Sequence, residues 1–243
     1  MNAPTQADVF PTDFLAEAGL NRQHVFACAD LPAALLAPLA RQPRERQLIL
    51  LGHAGRRLWQ CVQAARPAGE HPIDDYTKST VDRCFARFFP GRHYRIVYPG
   101  PAPIGLQALG AHAGWHQPSP LMIGIDREWG SWYAYRCVIL ADTGFSPDAT
   151  VDRENPAKSS PCTDCRERPC VAACPAGAVG DRFDLAACSD ERLRPGSPCG
   201  ESCLARLACP VGSEHRYDAT QIRHSYRQSL ALLKSWRLSR RSV

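Results

Sequence analysis

The chain has 243 residues, a formal charge of +5 and 44% hydrophobic residues. That length holds one large domain or a medium and a small one, and that apolar fraction excludes global disorder. No stretch reaches the length of a membrane-spanning helix, and residues 1–10 lack the basic residue and apolar run of a secretory signal, so the expected location is the cytoplasm with no membrane partner.

Residues 1–142 alternate helix and strand patterns. Thr12 opens a short helix that Gly19 stops, and residues 24–29 read as a short strand. The run Leu48-Leu51 suits a strand covered on both faces. Residues 56–65 are helical in pattern. A longer helix spans 74–89, with Asp74 as its cap, Pro90-Gly91 as its stop, and Val81, Phe85, Phe88 and Phe89 on one face. Residues 93–98 alternate as a strand, and 104–113 form a helix. Residues 121–125 and 131–141 read as two strands of an antiparallel hairpin, turning through 126–130. Residues 143–160 are polar and proline-containing, so they read as a linker. The expected organisation is an α/β (α+β) domain at 1–142, a cysteine-rich domain at 161–215 and an amphipathic, basic helix and tail at 216–243.

Eight of the twelve cysteines fall between positions 162 and 209. Cytosolic thiols are kept reduced, so disulfides are not the expected use. Cys28, Cys61, Cys84 and Cys137 are scattered in apolar or helical contexts and read as buried small hydrophobes. The other eight form Cys162-x2-Cys165-x4-Cys170-x3-Cys174-Pro175 and Cys188-x10-Cys199-x3-Cys203-x5-Cys209-Pro210. The bacterial ferredoxin run is C-x2-C-x2-C-x3-C-P, whose fourth cysteine serves the other cluster. The first half-motif differs from it by two extra residues, and the second is a stretched version. This spacing predicts two 4Fe–4S clusters. Cys162, Cys165, Cys170 and Cys209 hold one, and Cys174, Cys188, Cys199 and Cys203 hold the other. Two four-cysteine zinc sites would consume the same thiolates, but zinc favours paired C-x2-C knuckles and only one such pair is present.

The cysteine segment follows Ala113-Gly114-Trp115, Pro120-Leu121-Met122-Ile123, Trp129-Gly130-Ser131-Trp132 and Val138-Ile139-Leu140-Ala141-Asp142. Together they resemble the epoxyqueuosine reductases over about residues 95–215, and more remotely the reductive dehalogenases and the cobalamin-processing proteins. The resemblance implies a nitroreductase-like α/β fold for residues 1–142 and a dicluster ferredoxin-like domain after it. It also implies a cobalamin beside a cluster, an electron donor such as reduced ferredoxin or flavodoxin, and a small-molecule substrate. FMN is the less favoured cofactor. On this resemblance the cofactor is bordered by Gly114, Trp115, His116, Gln117, Ser119 and Trp129, and Tyr98 is the candidate proton donor. The alternative for Tyr98 is a strand-end tyrosine packed on the core, and for His112 and His116 a locally bonded loop histidine.

Three departures set the chain apart from a true epoxyqueuosine reductase. Tyr98-Pro99-Gly100-Pro101 has no carboxylate where that family carries an essential aspartate. His116-Gln117-Pro118-Ser119-Pro120 replaces its Gly-Lys-Asn. The helical-repeat tail that holds tRNA in many members does not follow the clusters. Two functions therefore stand: an iron–sulfur reductase with its own active site, or an electron-transfer protein or partner subunit.

Residues 216–243 hold seven Lys/Arg and one acid, a net +6, so the first 215 residues sum to −1. Basic clustering is the footprint of a polyanion site. No aromatic ladder accompanies it, and Ile222, Tyr226, Leu230, Leu233 and Trp236 recur at helical spacing. The expected role of the helix is to pack on the first domain, with nucleic acid not favoured.

Overall fold

The computed structural model describes residues 8–150 and 160–241, with side chains up to Arg237. The chain divides into two compact units, Met1–His116 with Tyr133–Asn155, and Gln117–Trp132 with Pro156–Val243.

The first unit is built on a four-stranded antiparallel sheet in the order β1-β2-β4-β3. The strands are β1 (Arg22–Ala27), β2 (Gln47–Ala54), β3 (Tyr94–Tyr98) and β4 (Tyr133–Ala141). Every residue of β2 is buried, as a central strand covered on both faces must be. Leu50 sits between His24 of β1 and Val138 of β4, which fixes the register. Bulges interrupt the ladder between Leu51 and Gly52 and between Ile96 and Tyr98. One face of the sheet carries Val25, Ile49, Leu51, Cys137 and Ile139. They pack against Leu15 of α1 (Thr12–Glu17), Leu58 and Val62 of α3 (Arg57–Ala65), and Val81 and Phe85 of α4 (Pro72–Phe88). α2 (Ala33–Leu36) and α5 (Leu106–His112) complete the helices of this unit.

Local chemistry explains the helix ends. Gly19 follows α1 at φ +87°, where a Cβ would lie 2.4 Å from the Leu58 backbone. Pro72, not Asp74, opens α4. Asp74 and Asp75 lie in its first turn, where they complement the helix dipole. Thr12 likewise begins α1 rather than capping it, the cap position being Pro11.

The expected hairpin and the start of the expected linker are also corrected. Residues 131–141 do give a strand, β4, but its partners are β2 and β3. Residues 121–125 form no strand. They fold back as a loop through a bridge between Gln117 and Ile125, with Met122 at φ +57°. Thr143, Gly144 and Phe145 continue from β4 into the first unit. The Thr143 hydroxyl and Phe145 N–H donate to Gln47, and Phe145 enters the core. Residues 151–159 of the expected linker lie outside the described residues.

The second unit has little regular structure: α6 (Pro169–Ala172), α7 (Leu185–Leu193), α8 (Leu204–Ala208) and the long α9 (Ala219–Arg241). α6 packs on α8, and α9 packs on α7 and on the 3-10 turn Pro198–Gly200. Ile222 of α9 joins Trp132 and Tyr217 in a small core of this unit. The helix thus packs within its own unit, because its apolar face meets the cysteine loops.

Candidate functional site: two cysteine quartets

All twelve cysteines are free thiols. In the first unit Cys28, Cys84 and Cys137 are buried, and Cys61 is half-buried with its thiol toward the Glu17 carbonyl at 3.6 Å. Burial pushes Cys84 up to about 11 and raises Cys137 further, so neither ionises near neutral pH.

The eight cysteines of the second unit behave differently, because they meet one another. Cys170 is pushed up by burial and then by the thiols of Cys209, Cys162 and Cys165. Cys209 is raised by burial, with Cys162 and Cys165 adding, while the Val211 N–H and Arg216 oppose the shift. Cys188 is raised by burial and by Cys203, Cys174 and Cys199, against Arg192. Cys199 is raised by burial and by Cys203 and Glu191. The structure therefore gathers Cys162, Cys165, Cys170 and Cys209 in one place and Cys174, Cys188, Cys199 and Cys203 in another. The second quartet lines a cavity of about 230 Å³ closed by Val179, Phe183, Tyr226 and Leu233.

The two half-motifs are built alike. Each carries a short helix just before its Cys-Pro step: α6 includes Cys170 and precedes Cys174, and α8 runs between Cys203 and Cys209, and the two helices pack together. Cys174 lies near Cys188, and Cys209 near Cys162, Cys165 and Cys170. The Cys203 thiol caps α8, accepting from the Arg206 N–H at 3.4 Å. Cys199 accepts from the Leu204 N–H.

The segment 126–132 braces the Cys209 loop. Asp126 Oδ1 accepts from the N–H groups of Glu128 and Trp129, closing a tight turn. Gly130, at φ +58°, lies so close to Val211 that a Cβ would stand 1.9 Å from its carbonyl oxygen. Arg206 donates to the Ser131 hydroxyl at 3.1 Å and its carbonyl at 2.5 Å, and its guanidinium covers the Trp132 ring. Trp129 packs on His215 at 4.2 Å. Sequence reasoning did not single out Arg206 or Gly130 for this role. The signal available was that Arg206 lies three residues after a candidate ligand.

The other expected site residues divide between the units. Gly114, Trp115 and His116 belong to the first, and Gln117, Ser119 and Trp129 to the second. Gly114 turns the chain at φ +74°, and the N–H groups of Trp115 and His116 both donate to the Gly110 carbonyl. Trp115 is buried parallel to Tyr135 and edge-on to His24, and Arg22 lies 4.9 Å from the Trp115 and Tyr133 rings. His24 is held neutral by burial, and its Nε2 is buried with no hydrogen-bond partner. This buried polar nitrogen beside Trp115 was not anticipated. In the second unit Gln117 pairs with Ile125 through its backbone, and the Ser119 hydroxyl donates to the Ile123 carbonyl at 2.7 Å.

Tyr98 ends β3. Burial pushes its phenol up, although Arg136 opposes the shift. Arg136 itself donates to His53 Nδ1 at 3.0 Å. A raised pKa makes Tyr98 a weaker proton donor than an exposed phenol.

Among the described residues, no group of three or more Cys, His, Asp or Glu side chains converges tightly enough to hold a single metal ion, and no helix is long and apolar enough to cross a membrane.

No protein-family model and no curated protein matches the chain by sequence. Solved structures match it in fold. A catabolic reductive dehalogenase in complex with 3-bromo-4-hydroxybenzoic acid is 14% identical over 91% of this chain and 34% of that one, with a TM-score of 0.52. A reductive dehalogenase reported with a mechanism for B12-dependent dehalogenation is 13% identical over the same shares, also at 0.52. An epoxyqueuosine reductase with an epoxyqueuosine-modified tRNA-Tyr stem loop is 12% identical over 87% of this chain and 67% of that one, at 0.51. The chain spans about two thirds of the length of that reductase and about one third of the dehalogenases. At these identities the likeness is one of fold: a mixed α+β architecture with a small antiparallel sheet.

Proposed function

We propose that this chain is an iron–sulfur reductase that takes up electrons one at a time on two 4Fe–4S clusters. Cys162, Cys165, Cys170 and Cys209 hold one cluster, and Cys174, Cys188, Cys199 and Cys203 the other. The observation that carries this reading is the grouping of eight thiols into two all-sulfur quartets. Thiols that raise one another's pKa resist joint ionisation, and an iron–sulfide core with positively charged irons removes that penalty. A single zinc with 2.3 Å bonds would draw four sulfurs to within about 4 Å of each other. Each cluster stores and passes one electron when bound. The protein's part is to bury the sulfurs, to donate N–H groups to Cys199, Cys203 and Cys209, and to set Arg192 and Arg216 near the sulfur charge.

The reading continues to a corrinoid in the first unit. Its support is the buried, unpartnered His24 Nε2 beside Trp115 at the Gly114 turn. That nitrogen fits one of the amides around a corrin ring. When bound, the corrinoid would supply the two-electron chemistry toward a small substrate, and His24, Trp115 and His116 would orient it. The missing carboxylate in 98–101 and the raised Tyr98 pKa favour the second reading, an electron-transfer protein or partner subunit without its own reaction.

One preparation separates these readings. Anaerobic protein made with cobalamin available should be brown, bleach on dithionite and carry about one cobalt per chain. His24→Ala should lower the cobalt and leave the bleaching intact. Bleaching without cobalt, together with bound FMN or no cofactor, would replace the corrinoid reading by the flavin or carrier reading. A colourless protein would overturn the clusters.

A further inference from the structure

We infer that the groove between α9 and the 3-10 turn Pro198–Gly200 is the docking surface for an acidic one-electron donor protein, which hands its electron to the cluster of Cys174, Cys188, Cys199 and Cys203. This inference rests on the cluster reading above. The groove encloses about 1070 Å³ and is lined by six cations, Arg192, Arg194, Arg216, Arg223, Arg227 and Lys234, against one acid, Glu201. Glu201 is shared by Arg223 at 3.1 Å and Arg227 at 2.6 Å, so one carboxylate faces two guanidiniums. Arg223 and Arg227 remain more than half exposed, and Lys234 is exposed about two turns beyond Arg227 on the same helix. Because the first 215 residues sum to −1, the strongest positive field of the chain lies with residues 216–243.

The groove is also next to the sulfur. Its wall is the turn Pro198–Gly200, which carries Cys199. Arg192 spans both: it donates to the Cys199 carbonyl at 3.4 Å, and it also lines the cavity of that quartet. An acidic protein seated here would place its redox centre against the loop that holds a cluster ligand. Electron-transfer encounters bury little area and depend on charge for speed and orientation, as this surface requires. Nucleic acid is the less suited polyanion. Tyr217 is the aromatic residue in the lining, and it is 5% exposed and packed on Trp132, so it offers bases no stacking platform. In the transfer the donor loses one electron, and one cluster gains it.

The test mixes reconstituted holoprotein with reduced flavodoxin, an acidic one-electron donor, in an anaerobic stopped flow. The second-order rate of cluster bleaching should fall about tenfold or more between about 20 mM and about 300 mM salt. At low salt the triple substitution Arg223→Gln, Arg227→Gln and Lys234→Gln should lower it about tenfold, and Glu201→Gln should raise it about twofold. Damage to the fold cannot produce that increase. Reduction by a viologen radical cation, which the groove's positive charge does not attract, should not fall in the triple variant nor rise in Glu201→Gln. Flavodoxin rates indifferent to salt and to both variants, with full iron and normal viologen reduction, would overturn the docking surface alone. Absence of iron would overturn it together with the cluster reading. Micromolar binding of a twelve-nucleotide single-stranded RNA that the triple substitution abolishes, with flavodoxin rates unchanged, would assign the groove to nucleic acid instead.

Discussion

The first unit holds its cysteines apart, and the second brings them together. Cys84 and Cys137 stand among Ile139, Val81 and Phe85, where burial alone does most to hold the thiol protonated. Cys170 and Cys188 are also raised by burial, but other thiols come next as the cause. The same residue type therefore serves as a small hydrophobe in one unit and as a candidate ligand in the other. The surroundings match these uses. The first unit has a sheet with a strand buried along its whole length, so it can fold on apolar burial. The second has helices of four, nine and five residues around the cysteines. Helices that short are marginal alone, so this unit needs another source of cohesion.

Removing iron should break the comparison most severely. Chelation of the reconstituted holoprotein under oxidising conditions should unfold the cysteine loops, because metal-binding energy is folding energy there. Trypsin should then cut at Arg166, Arg182 and Arg192 while the fragment containing β1 to β4 persists. Equal resistance of both units after iron loss would show that the second unit stands on its own packing.

The next effect belongs to the helix that closes the second quartet. Leu230 approaches Gly200 and Leu233 lines the cavity. Both leucines are half-buried, so changing both to Asp should cost roughly 1.5–3 kcal/mol in all, half of the ~1.5–3 kcal/mol that full burial of each would contribute. Iron content should fall with it, and the thermal transition of the first unit should stay in place. A variant with full iron would mean that α9 is not needed to hold the quartet.

Gly130→Ala is a sharper probe of the brace. With a Cβ forced toward the Val211 carbonyl at a positive φ, it should cost roughly 2–4 kcal/mol and lower the occupancy of the Cys209 quartet first. Retention of about eight iron per chain would show that the loop yields.

In the first unit, Glu45 is wholly buried and bonds to Arg95, His93 and the Gln42 N–H. Burial works to raise its carboxyl, but these partners together hold it below the usual range. Its stabilisation is thus complete above the unfolded value of about 4.3 and is lost as pH falls through the lower folded value. Glu45→Gln should cost roughly 1–3 kcal/mol at pH 7 by urea titration and flatten the acid limb of stability. An unchanged midpoint at pH 7 would remove Glu45 from the account. Cys84→Ser should cost about 1 kcal/mol and leave iron content unchanged.

Much of this contrast was legible in the sequence. The run Leu48-Leu51, the alternation before Tyr98 and the periodicity of 74–89 report local burial, and strands and helices stand there. Cysteine spacing is itself a local signal, and the proposed cluster ligands rest on that spacing together with the Cys-Pro steps. The hairpin at 121–141 was not legible. Residues 131–141 carry a strand pattern, but a pattern does not name its partner, and the partners of β4, β2 and β3, begin far upstream at Gln47 and Tyr94. Gln117, Asp126 and Gly130 hold 117–130 as a loop through backbone contacts that leave no periodicity. His24 reads as one more residue of a strand. That its Nε2 is buried without a partner, with Phe26 and the distant-in-sequence Trp115 beside the ring, is a tertiary fact that a strand pattern does not carry.

The most direct test of two clusters is a count of iron, acid-labile sulfide and zinc in anaerobically reconstituted protein, repeated for Cys162→Ser and Cys188→Ser. The account expects about eight iron and eight sulfide per chain, falling to about half in each variant, with no zinc. About two zinc per chain with no sulfide would contradict it.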